Sequence, residues 1–360
     1  FGGAVYSAAS LLRVTNSSFS NNQAFAGAVY VDGAPAVLGF SERANQPASL
    51  ADVVFTNNLA SACAGVLVSA ATVQARGMLL ANNTALGSNG GGMCMYGTAT
   101  VVLHGNTSRV VGNVAAAYGG GLYIETQSTL VSDAATPWSA SFPSLVVDSN
   151  TATDVGGGIA ALLGAAVDAT RLHVTGNVAG MGGGGVGAIA MSHISLRDSF
   201  VSHNTLKPSA GQVGNGGGVL LSSSSTLSAI GTDITHNRAA SGGGGVYAAA
   251  NSFVNITGGA LSDNTATSDG GAISASESSV HVGGTTIQRN SAGVGAALYT
   301  TSSVPKDLVV GNGTSFFGNV AWPGHSAMFI TPTIDFVLSS TAQLNGAQVI
   351  TFEYCTSRCL

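Results

Sequence analysis

Charge is what this chain lacks most. Only 8% of its 360 residues are Asp, Glu, Lys or Arg, against about a quarter in an ordinary globular domain. With 11 basic residues, 16 acidic ones and a formal net charge of −5, there is no cationic patch for nucleic acid or an anionic membrane. Long apolar runs are also missing. The most apolar stretch, Gly158 to Val167 (GIAALLGAAV), closes at Asp168 and falls far short of the ~20 residues that a spanning helix needs. The sequence opens on Phe1 without methionine or a basic leader, so it reads as a segment of something larger. Helix signals are absent as well, because glycine, costly in helix interiors, returns in every period of the chain.

What is present in excess is glycine, 51 residues, beside an ordinary hydrophobic fraction of 45%. That leaves enough apolar surface for a core and argues against disorder. The glycines follow a repeat. Eleven asparagines, Asn22, Asn58, Asn83, Asn113, Asn150, Asn177, Asn204, Asn237, Asn264, Asn290 and Asn319, each stand three residues after an apolar one. Those apolar residues are Phe19, Phe55, Leu80, Val110, Val147, Val174, Val201, Ile234, Leu261, Ile287 and Phe316. Alanine stands two places after the asparagine in every copy except the one ending in Leu206. A small-small-apolar element follows, as in GGLY at 120–123, GGGI at 156–159 and GGAI at 270–273.

Self-similarity at such spacing is the mark of a stacked repeat. The segments between turn residues are too short for helices, so each period reads as a coil of two or three short parallel strands. The predicted fold is all-β: a right-handed parallel β-helix of about eleven to twelve coils, handedness following the rule for parallel crossovers. Residues 1–330 form the β-helix domain, and 331–360 a C-terminal cap or the start of a cysteine-containing segment. In such a stack every residue faces its copy about 4.8 Å away. The asparagines are expected to form an amide ladder at a corner, with left-handed backbone of their own, and the glycines to serve bends or close approaches. Insertions at Val31 to Ala51 and Glu125 to Ser144 leave along one edge, and a third, Leu206 to Asn215, along another arc. The second carries Trp138.

FSNN at 19–22, FTNN at 55–58 and FFGN at 316–319, paired with GGAV, GGAI and GGGI, resemble the repeats of the chlamydial polymorphic outer-membrane proteins, pectin-lyase-like β-helix surface proteins. The resemblance covers residues 1 to about 330. It implies a non-enzymatic extracellular or cell-surface module used in adhesion and assembly. Its partners would be other protein subunits, copies of itself or glycans, with no cofactor, no nucleic acid and no membrane insertion by this segment.

Candidate sites are few. N-glycosylation acceptors occur at Asn16, Asn82, Asn106, Asn255 and Asn312, meaningful in a secreted chain. Counted along the strand, Cys63 and Cys94 lie about four residues, ~13 Å, out of register; they read as separate core residues rather than a disulfide. Cys355 and Cys359 are the candidate disulfide pair. A carbohydrate-binding or carbohydrate-cleaving β-helix is the rival reading. Cleavage would need carboxylates at one offset in successive coils, but Asp148, Asp168, Asp198, Asp233 and Asp263 all stand at different offsets. One column interrupts the pattern: His203, His236, Asp263 and Arg289 immediately precede four successive ladder asparagines. A solvated polar stripe is expected there, with a metal or anion site at His203, His236 and Asp263 as the sharper alternative.

Overall fold

The structure is a computed structural model that describes residues 3–8, 12–33, 36–38, 53–104, 108–133, 143–331, 334–338, 343–344 and 350–352. One coil shows the logic. Glycines at 244 and 245 lead into Val246–Ala249; the chain turns into Phe253–Thr257, then Ala260–Ser262, and after Asn264 into the two-residue strand Thr265–Ala266. Repetition of this coil builds four parallel sheets, here named A to D, of 13, 12, 12 and 11 strands. No helix occurs among the described residues.

Each coil thus has four strands rather than two or three. The fourth is only two residues long, too short to carry the period-two alternation by which a strand is recognised. It follows the asparagine and delivers the small alanine inward, so Ala179, Ala239, Ala266 and Ala292 pack with Leu206 in one column.

Register is set by the core. Val246 and Ala248 of sheet A, Val254 and Ile256 of sheet B and Leu261 of sheet C point inward and are fully buried. The apolar residues three before each asparagine are Cα partners from coil to coil, Phe19 on Phe55, Phe55 on Leu80, Leu80 on Val110 and onward to Ile287 on Phe316. A one-residue slip would turn every one of them to solvent. Pairing extends past Ile330: Ile334–Leu338 lies on Lys306–Val310, Gln343–Leu344 on Ser315–Phe317 and Ile350–Phe352 on Met328–Ile330.

The glycine element has two jobs. Gly243 has φ +66° and makes the bend. Gly244 has no room for a side chain, since a Cβ there would lie 2.4 Å from the Gly271 carbonyl oxygen of the next coil. The runs GGGG at 182–185 and 242–245 are therefore packing devices.

Candidate functional site

The corner between sheets C and D holds the longest polar constellation in the chain. The eleven ladder asparagines stand in one column, and from Asn58 onward all are buried. Asn177 shows the pattern. Its Oδ1 accepts from the backbone N–H of Asn150 at 2.9 Å and from Asn150 Nδ2 at 3.0 Å. Its Nδ2 donates to Asn204 Oδ1 at 3.0 Å and to the Val147 carbonyl at 2.9 Å. Both lone pairs and both N–H groups of the amide are thereby used. The same bonds run from Asn22 on Asn58 to Asn290 on Asn319. No amide in the interior of this column is left over to bind a ligand.

The left-handed backbone belongs to the preceding residue, not to the ladder asparagine as expected. Asn21, Asn57, Asn82, Ser149, His203, His236, Asp263 and Arg289 all have φ between 52° and 58°, and Gly112, Gly176 and Gly318 fill the same corner in other coils. Asn, Asp, His and Gly are the residue types that tolerate this region best, which explains why the column is generically small or polar.

Within it the four-residue stripe does assemble. The rings of His203 and His236 stack at 4.8 Å with planes 5° apart. His236 Nε2 lies 3.9 Å from Asp263 Oδ2. Arg289 grips the same carboxylate in a fork, Nε to Oδ1 at 2.8 Å and Nη2 to Oδ2 at 2.7 Å. That fork holds the Asp263 carboxyl below its ordinary value against an opposing effect of burial, and Arg289 rises in turn. A guanidinium occupying both carboxylate oxygens competes with any metal, and no group of three His, Cys, Asp or Glu side chains among the described residues is arranged to hold one.

The other aspartates are dispersed. Asp168 lies mid-strand on sheet B beside Val131, Asp198 at the corner between sheets B and C, and Asp233 at the start of a sheet C strand, where its Oδ1 accepts from the Ala260 N–H at 2.9 Å.

The cysteines overturn an expectation. Cys63 and Cys94 form a disulfide, with Cα atoms 5.5 Å apart. Counting along a straight strand failed because Cys63 is itself a corner, with φ 55°. At this corner the chain folds back so that a residue lies against the outward residue four places on. In the next coil a Cβ on Gly90 would touch Cys94 Sγ. Cys63 sits one coil before Gly90, so its sulfur reaches across to Cys94, which stacks in register on Leu67. Around the bridge on the outer face of sheet A lie Leu67, Tyr96 and Tyr123. Burial pushes the Tyr96 hydroxyl up to about 12 and Tyr123 higher still, where Tyr123 also donates to Glu125 Oε2 at 2.7 Å. The pair Cys355 and Cys359 lies outside the described residues.

Asn16 and Asn82 are exposed corner residues with φ 47° and 54°. Asn255 is half-buried on the outer face of sheet B, Asn312 is exposed in a turn after Lys306–Val310, and Asn106 lies outside the described residues. Most of the first insertion lies outside them too, as do residues 134–142 of the second, Trp138 among them. Both leave between sheets B and C, after Ala36–Leu38 and Thr129–Asp133. The third leaves between sheets D and A, after Thr205–Leu206.

Sequence reading missed a second polar column. Serine precedes the sheet B strand at Ser128, Ser192, Ser225, Ser252 and Ser278, all buried. The hydroxyl accepts from the backbone of the coil before, as Ser225 Oγ does from the Ser192 N–H at 3.2 Å, and donates to a carbonyl three residues back, Ser222 O at 2.8 Å. The signal is a serine directly before an apolar-alternating strand, hidden by the chain's general richness in serine.

No helix among the described residues is long and apolar enough to cross a membrane. No curated protein and no solved structure gives a significant match. Residues 258–276 match the Chlamydia polymorphic membrane protein repeat. They contain Leu261, Asn264 and the glycine element at 270–273, the parts that make one coil. The chain is a parallel β-helix built on a repeat similar to that of the polymorphic membrane proteins.

Proposed function

We propose that the chain is a non-enzymatic, rigid rod displayed outside the cell, a structural and adhesive module that meets other protein subunits, its own copies included, along its flanks. The observation that carries this reading is the unbroken asparagine ladder. Eleven coils are bonded through a buried amide column whose hydrogen-bonding capacity is spent on the rod itself. A catalytic site would need titratable groups converging on one surface, whereas Asp168 lies on sheet B, Asp198 at the corner between sheets B and C and Asp233 on sheet C. The disulfide between Cys63 and Cys94 favours an oxidising compartment, where such bonds persist. The match at 258–276 favours display on a surface.

The test has two arms. Impermeant labelling of intact source cells should modify the protein, and incubation with a panel of polysaccharides should generate no new chain ends. Turnover abolished by replacing an Asp or Glu would overturn the non-enzymatic reading, and a protein protected from the label would overturn display.

A further inference from the structure

In a chain so poor in charge, one edge carries three of the 11 basic residues, Lys207, Arg238 and Arg289, beside two histidines. Along the C–D edge the corner column is neutral at Asn21, Asn57, Asn82, Gly112, Ser149, Gly176 and Gly318, but carries His203, His236, Asp263 and Arg289 in coils seven to ten. One residue beyond the buried asparagine, the outward position of sheet D holds Thr205, then the exposed Arg238 in register with it, then Thr265. Lys207, also exposed, follows in coil seven. Arg289 balances Asp263, so Lys207 and Arg238 stand in excess. The two histidines add to them when protonated.

The charged groups facing the histidines are few. On one side of His203 is Gly176, with Asp148 close beside that glycine and itself accepting from Ser149 Oγ. On the far side of His236 is Asp263, already held by Arg289. Asp233, at the start of the strand that ends just before His236, is tied to a backbone N–H. Protonating two stacked rings 4.8 Å apart sets like charges side by side, and an external anion bridging them relieves that repulsion.

We propose that this stripe binds an extended acidic polysaccharide lying along the rod, with His203 and His236 as its pH gate. The donors are spaced one coil apart, about 4.8 Å, on a scaffold that cannot adjust, which suits a stiff polymer bearing carboxylate or sulfate groups at regular intervals. Arg238 supplies a planar fork for such groups. Nucleic acid fits less well. Its binding commonly neutralises 6–10 phosphates, as a rough scale, more than four coils offer, and apart from the histidines the stripe presents no ring for base stacking.

The inference rests on the rod being displayed, and display is read independently by surface labelling. The experiment measures binding of the purified chain to immobilised polygalacturonate and heparin, with neutral dextran and single-stranded DNA as comparators, at about pH 5 and about pH 8. One acidic polymer should bind at the lower pH and weaken about tenfold at the higher. H203N/H236N should keep its unfolding midpoint, because asparagine occupies this corner at 21, 57 and 82, yet bind at low pH no better than the parent at high pH. R238T, threonine being native on either side of that position, should weaken binding at both. Absence of binding to both acidic polymers, a pH dependence that survives the double variant, or equal capture of dextran or DNA would each overturn the proposal. Acidic-polymer binding by a protein that is not displayed would sink the surface reading alone.

Discussion

Replacing Asn177 by alanine is the most direct challenge to the ladder. The side chain is fully buried, and its loss deletes four hydrogen bonds: two accepted from Asn150, and one each donated to Asn204 Oδ1 and the Val147 carbonyl. Asn204 Oδ1 keeps the backbone N–H of residue 177, 3.0 Å away. Asn150 fares worse, since its backbone N–H and one proton of its Nδ2 lose their acceptor, the other proton remaining on Val110 O. Two stranded buried donors at about 1–3 kcal/mol each give a loss of about 2–6 kcal/mol, before any cost of the small void. Asn22→Ala is the internal reference. That side chain is half-buried and donates to Asn58 Oδ1 at 2.8 Å, an oxygen that also keeps the Asn22 N–H at 3.0 Å, so its loss should cost only about 0.5–1.5 kcal/mol. Asn177→Asp supplies an acceptor but, when ionised, turns an oxygen toward Asn204 Oδ1 and Val147 O; its penalty should grow as pH rises through the carboxylate range. Denaturant unfolding followed by far-ultraviolet circular dichroism reads the totals. Because solenoids open locally, hydrogen exchange at the Asn150 amide reads the site itself. Equal losses for Asn177→Ala and Asn22→Ala, or an Asn150 amide as protected in the variant as in the parent, would refute the ladder as the main polar brace.

Other outcomes follow from the same geometry. Reducing the disulfide, which closes a loop of 31 residues, should lower stability by about 3–4 kcal/mol on the chain-entropy estimate, measured by denaturation with and without reductant. Gly244→Ala should cost about 1–3 kcal/mol or more, because its Cβ would meet a backbone oxygen at 2.4 Å, whereas Gly283→Ala meets nothing within 4 Å and should be tolerated. Tyr96 and Tyr123 have raised folded-state values, from burial first and from Glu125. The stability they confer is therefore complete below the ordinary tyrosine value and is lost as pH rises from about 10 toward about 12 and beyond. Ultraviolet titration should show Tyr96 and Tyr123 ionising late and together with unfolding.

The coil was legible because its strongest constraints act on residue type. An inward position excludes polar side chains, a buried amide column admits only asparagine, and a backbone contact under 3 Å admits only glycine. Residues 261, 264 and 271 declare themselves for those three reasons. The left-handed corner was placed one residue late because both columns favour asparagine, and the pairs Asn21–Asn22, Asn57–Asn58 and Asn82–Asn83 hide which member bends. His203 and His236 resolve the ambiguity in later coils, since a histidine can take the bend but cannot replace an amide in the ladder.

The disulfide marks where such reading must stop. Strand register is additive along a straight segment, about 3.3 Å per residue, and fails across a corner that reverses the chain. Whether Cys63 and Cys94 meet depends on the bend at Cys63, a three-dimensional fact with no trace in spacing. The same bend in neighbouring coils is made by glycine, at Gly90, Gly119 and Gly156. Cysteine is thus a costlier occupant of a position where glycine is the rule, and the bridge to Cys94 is what offsets that cost. It follows that Cys63→Gly should relieve backbone strain while losing the cross-link. Cys94→Ser should lose the cross-link and keep the strain, and should therefore be the less stable of the two single variants when their denaturation midpoints are compared under oxidising conditions. The opposite order would show that the corner at residue 63 is unstrained and that register alone holds the two sulfurs together.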